Sequence, residues 1–78
     1  MKKIQIFTSA GSESETLEKN TRNAVSQLGL QIDIEKVEDK KQFKEYGVKF
    51  APALAVDGHI RLSGRVATVD EIKRIISQ

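Results

Sequence analysis

Cysteine is absent from all 78 residues, which excludes a disulfide framework, a thiolate metal site and any chemistry that runs through a thiol. Histidine occurs once, as His59, so neither a histidine cluster for metal nor a ready general base is at hand. Tryptophan is missing, and three Phe and one Tyr are the whole aromatic complement. Thirteen basic against eleven acidic residues leave a formal charge of +2 with no run of one sign, short of the clustered basic face that nucleic-acid binding needs. No stretch approaches the ~18–20 apolar residues of a membrane span. Met1 to Phe7 begins like a signal n-region, but its apolar part is short and broken by Gln5. The expectation is a soluble, cytoplasmic protein without cofactor, metal, nucleic-acid or membrane partner.

The chain is one domain over 1–78, with no repeat, linker or low-complexity tract. A domain this small buries only about 60–65% of the surface its unfolded chain exposes, so a deep substrate cavity is not expected. Ile4 and Ile6 alternate with Gln5 and Phe7 as a strand over about 2–8. Leu17, Thr21, Ala24, Val25 and Leu28 then fall on one helix face over about 12–28, ended by Gly29. Ile32 and Ile34 alternate with Asp33 and Glu35 in a half-buried strand over about 31–37. A short helix over 39–46 follows, with Phe43 and Tyr46 inward and Gly47 at its end. Ala53 to Val56 and Ile60 to Ser63 flank Asp57-Gly58-His59, and an Asp-Gly pair between apolar runs signals a type I′ hairpin. Val69, Ile72, Ile75 and Ile76 form the face of a last helix.

The order β-α-β-α-β-β-α gives an α/β fold. Its βαβ start requires two parallel strands joined by a crossover, and the hairpin adds antiparallel ones, making a mixed four-stranded sheet with three helices. That is the thioredoxin-like arrangement. A ferredoxin-like fold would need a strand at 39–46, where Gln42, Lys44 and Glu45 around Phe43 favour helix.

Gly47-Val48, Ala51-Pro52-Ala53-Leu54, Val56-Asp57-Gly58 and Ser63-Gly64-Arg65-Val66, with the strand-loop-helix start, resemble the small thioredoxin-like proteins called redox-active disulfide proteins. The resemblance covers nearly the whole chain. It implies a Cys-x-x-Cys at the start of the first helix and a cis proline, here Pro52, facing that pair. Aligned on Leu17, the pair falls at Gly11 and Ser14, where this chain reads Gly11-Ser12-Glu13-Ser14; a slip in the loop would bring Ser9-x-x-Ser12 there instead. Thiol–disulfide exchange needs a thiolate, and a serine hydroxyl has no reversible route to an S–S bond. Dithiol oxidoreductase chemistry by this chain alone is therefore not expected.

Ser12-x-x-Glu15, Asp39-x-x-Gln42 and Thr68-x-x-Glu71 all fit the capping box, in which a side-chain oxygen accepts from the third helical N–H and the acid or amide reaches back. Capping outweighs catalysis at Ser12 or Ser14, because a serine nucleophile needs a base and His59 belongs to the distant hairpin. An anion at the Gly11-Ser12 helix start is opposed by Glu13 and Glu15. Phe7 and Phe50 read as core or half-buried. Lys40, Lys41, Lys44 and Lys49 read as a solvated face, interspersed with Glu38, Asp39 and Glu45.

Pro52 stands at strand entry, where a missing N–H does no harm to the ladder. The resemblance adds a functional expectation: an extended peptide or protein partner at the proline edge, on a surface made of Ala10, Gly11, Ser12, Glu13, Ser14, Phe50, Ala51, Pro52, Gly64 and Arg65. The expected function is a redox-inactive binding module and not an enzyme. Its rivals are an oxidoreductase relative acting with thiols supplied by a partner, and a homodimer through the same face; monomer and homodimer both remain open.

Overall fold

The computed structural model describes residues 2–9 and 11–77. The elements are β1 (Lys3–Phe7), α1 (Ser12–Leu28), β2 (Asp33–Val37), α2 (Lys40–Tyr46), β3 (Ala53–Val56), β4 (His59–Ser63) and α3 (Val69–Ser77). The sheet runs β2-β1-β3-β4. β1 pairs with β2 in parallel and with β3 antiparallel, and β3 pairs antiparallel with β4. This is the mixed four-stranded α/β sheet expected of a thioredoxin-like chain.

β1 is central, so both its faces are covered, and its alternation separates two cores. Ile4 and Ile6 point with Leu54, Val56 and Leu62 toward Leu17, Ala24 and Val25 of α1 and Ile72 and Ile76 of α3. Phe7 points the other way, fully buried with Val37, Ala53 and Ala55 under Phe43, Tyr46 and Val48. Its ring meets Phe43 edge-on at 5.4 Å and Tyr46 at 5.3 Å. Gln5 lies on that same face without cost, since its Nε2 donates to Glu35 Oε1 (2.8 Å) and to the Tyr46 hydroxyl (3.2 Å). Phe43 and Tyr46 are half-buried, because one seven-residue helix lies over this face.

The hairpin turns on Asp57 and Gly58, with φ of 53° and 83°, the two left-handed residues that a type I′ turn demands. Asp57 also anchors the turn: its N–H donates to Lys3 O and its Oδ1 accepts from Lys3 N–H, each at 2.8 Å. His59, expected within the turn, is instead the first residue of β4, paired with Val56. Two turn residues suffice, so the ladder resumes one position earlier. Between Leu54 and Ala55 the register shifts and Arg61 becomes the extra residue of a bulge.

Candidate functional site

Register places the candidate residues. Phe7, the last residue of β1, pairs with Ala53, the first of β3, and Ala53 pairs with Ser63, the last of β4. The segments carrying Gly11 to Ser14, Phe50 to Pro52 and Gly64-Arg65 therefore leave the sheet at one end. Ala10, expected in the same surface, lies outside the described residues. Pro52 is buried, and the Ala51–Pro52 peptide bond is cis. Gly64 N–H donates to Pro52 O at 2.9 Å, joining the two loops.

Phe50 overturns an expectation: it is 68% exposed, where burial or half-burial was expected. The core under α2 is already closed by Phe7, Phe43, Tyr46 and Val48. Phe50 follows after the chain has left that core, and its ring lies against Gly64, where an added Cβ would come within 3.2 Å of Phe50 Cβ.

The start of α1 overturns another. Gly11 is the N-cap, at φ 137° and ψ 164°, and no side chain caps this helix. Ser12 is already helical, and its carbonyl accepts from Thr16 Oγ1 at 2.9 Å. The capping box fails because the loop enters one residue earlier than the motif requires. Ser14 does the local work instead: only 5% exposed, it accepts the Ser9 N–H on Oγ at 3.0 Å, closing the loop onto the helix. At the other two helices the side-chain half of the box forms: Asp39 Oδ1 accepts from Lys41 N–H (2.9 Å) and Thr68 Oγ1 from Glu71 N–H (3.2 Å). Hence Asp39→Ala is expected to cost about 1 kcal/mol in urea unfolding and Ser12→Ala to leave the midpoint where it was.

Arg65 is exposed but its charge is paired. Its Nη1 donates to Glu71 Oε1 at 3.0 Å and its Nη2 to Glu71 Oε2, a two-pronged pair across the loop after β4. Asn20 Nδ2 fastens the same loop to α1 through Ala67 O at 2.9 Å. The hydrogen bond from Arg65 holds the Glu71 carboxyl below the usual carboxylate range. A carboxyl depressed on folding stabilises above its unfolded pKa and loses that contribution as pH falls through the folded value. A carboxyl titration followed by NMR is thus expected to place the Glu71 midpoint below that of a free glutamate, and Arg65→Gln to return it.

A cleft of ≈ 540 Å³ lies between the start of α1, the end of β2 and α2. Thr8 and Ser14 line it, with Glu15 of α1, Lys40 of α2, Lys36 and Phe43. It shares Gly11 and Ser14 with the expected surface and none of Phe50 to Pro52, Gly64 or Arg65. Thr8, Lys36 and Lys40 escaped the sequence because they meet only when β1, β2 and α2 are assembled; no motif joins them. His59 is exposed and stands at the start of β4, beyond the opposite end of β3 from Pro52.

The profile of a family described as the thioredoxin domain matches residues 2–77. A protein named thioredoxin from Methanothermobacter thermautotrophicus is 44% identical over 77 residues, 99% of this chain and 100% of that one. Another of that name, from Methanocaldococcus jannaschii, is 33% identical over 70 residues, 90% of this chain and 80% of its own. With the sheet order, the helix placement and nearly full-length similarity in agreement, the chain belongs to the thioredoxin domain family, as a member whose sequence holds no cysteine.

Proposed function

We propose that this protein is a redox-inactive thioredoxin-fold binding module, not an enzyme, which holds an extended peptide segment of a partner beside Pro52. The observation that carries the reading is a pairing of backbone and side chain at one spot. Neither the N–H nor the C=O of Ala51 has a partner among the described residues, and next to it Phe50 offers an exposed ring. Strand addition draws its affinity from free backbone groups and its specificity from neighbouring side chains, and an exposed aromatic beside an open edge supplies the anchor. Gly11 to Ser14, Gly64 and Arg65 flank this edge, and Ala10 belongs with them by sequence. Having no thiol, the surface binds without exchanging electrons. A chain without disulfides accords with a reducing compartment, and we place the module in the cytoplasm.

The test is an amide chemical-shift titration with unstructured apolar decapeptides and, separately, with glutathione. Shifts are expected to cluster at 11–14, 50–52 and 64–65, and Phe50→Ala to weaken the peptide by about tenfold, the loss of one interface anchor. Perturbations confined to the outer faces of α1 and α3 would sink the reading.

A further inference from the structure

Phe50, the exposed ring beside the Ala51 edge, leans on a loop that α1 and α3 hold in place. Among the described residues, Lys49, Phe50 and Ala51 take part in no backbone hydrogen bond. A segment without hydrogen bonds of its own takes its shape from what it rests against. Here that is Gly64. The Pro52 carbonyl accepts the Gly64 N–H at 2.9 Å, and a Cβ at position 64 would come within 3.2 Å of Phe50 Cβ and 3.9 Å of Phe50 Cγ. Ring and loop therefore meet at the level of the Gly64 backbone, with no flexible side chain between them to absorb a shift.

The loop 64–68, which joins β4 to α3, is fastened along its length. Gly64 has a φ of 75°, in the left-handed region that suits glycine, and this sets where the chain leaves β4. Arg65 donates from Nη1 and Nη2 to the two carboxylate oxygens of Glu71 on α3. Ala67 is 1% exposed, in the core with Leu17 and Ala24 of α1 and Ile72 and Ile76 of α3. Its carbonyl accepts from Asn20 Nδ2 of α1 at 2.9 Å, and the Thr68 carbonyl accepts the Ile72 N–H at 3.0 Å. Neither Asn20 nor Glu71 belongs to the expected binding surface, yet both fix the loop on which Phe50 rests.

We infer that Asn20 and Glu71 are positioning residues for partner binding: through the loop 64–68 they hold Gly64 against Phe50 and so present the ring already ordered to the visiting peptide. The inference rests on the peptide edge proposed at Ala51 and adds to it a dependence on α1 and α3. An anchor ordered before the encounter removes part of the entropy loss from the binding step. An exposed ion pair contributes little to global stability, so the Arg65–Glu71 contact acts on the shape of the loop more than on the survival of the fold.

The experiment measures the affinity of an unstructured apolar decapeptide for Asn20→Ala, Glu71→Gln and the two combined, each with and without Phe50→Ala. Gly64 is followed by NMR in the same proteins before peptide is added. There, both substitutions are expected to speed exchange of the Gly64 amide and to shrink the ring-current displacement of its α-protons, which Phe50→Ala abolishes. Peptide binding is expected to weaken about threefold for each and about fivefold for the pair, as ordering of the ring returns to the binding step. In the Phe50→Ala background the same changes should alter affinity by less than about twofold, because the route through the ring is gone. Glu71→Gln removes only an exposed ion pair and keeps the fold even where Asn20→Ala loosens it. Equal weakening with and without Phe50, an unmoved Gly64, or unchanged affinity in variants whose parent binds would each overturn the inference alone. No binding by the parent protein would remove the Ala51 edge itself, and this inference with it.

Discussion

Insulin reduction by dithiothreitol is expected to proceed at its uncatalysed rate in the presence of this protein and to accelerate several-fold with a Gly11→Cys/Ser14→Cys variant. A thiol at residue 14 would sit at the start of the first helix, nearly buried. It lies in the first turn of α1, where the helix end favours negative charge, and the Ser9 N–H that now bonds Ser14 Oγ would meet a thiolate there. Gly11 precedes the helix at non-helical angles, so closing a disulfide to residue 14 needs the loop to shift until the two Cβ atoms come within about 3.5–4.5 Å. Position 11 resists the change. At φ 137° and ψ 164° its backbone occupies a region open essentially to glycine, and a side chain there costs about 1–3 kcal/mol. The variant should therefore gain activity and lose stability together, whereas Ser14→Cys alone yields one nearly buried thiol without a partner cysteine and no turnover. Acceleration by the natural protein, measured by the onset of insulin turbidity, would refute the redox-inactive reading outright.

The second large effect concerns the core under α2. Phe7→Ala is expected to cost about 3–5 kcal/mol, the range for deleting a buried phenylalanine. Total stability for a chain of 78 residues is only about 4–12 kcal/mol. The ring touches Phe43 and Tyr46 at once, and those two residues fasten α2 to the sheet. Losing it leaves the short helix without its anchor, so α2 amides should exchange with solvent well before those of α1. Phe7→Leu keeps most of the volume and should lose about 1–1.5 kcal/mol, largely the edge-on ring contacts. Urea unfolding of the two variants, with hydrogen exchange at Phe43 to Tyr46, measures both.

The fold was legible because its signals are local and agree with one another. Ile4 and Ile6 against Gln5 and Phe7, the Leu17 to Leu28 helix face and the Asp57-Gly58 turn each act within a few residues, and all point to the same sheet. The site was less legible, for reasons visible at particular residues. Ser12-x-x-Glu15 satisfies a motif, but whether a serine caps depends on the φ and ψ at which the loop arrives, and Gly11 brings it in already turned. Phe50 has the composition of a core residue, yet the space is taken by Val48 two residues earlier. Arg65 was expected only as part of the binding surface, and its pairing with Glu71 appears once α3 is in place. The cleft near Thr8 and Lys40 is a property of the assembled sheet and helices, which no single window of sequence contains.

The bulge at Arg61 bears on how copies of this protein behave when concentrated. Strands at the rim of a sheet offer unpaired backbone to any passing chain, and a flat rim invites runaway addition. Here β4 is kinked by its extra residue, and the opposite rim, β2, carries Asp33, Glu35 and Lys36 in exposed positions. Both rims are thereby poor templates for fibrils. A chain with both rims blunted in this way can be abundant without recruiting copies of itself.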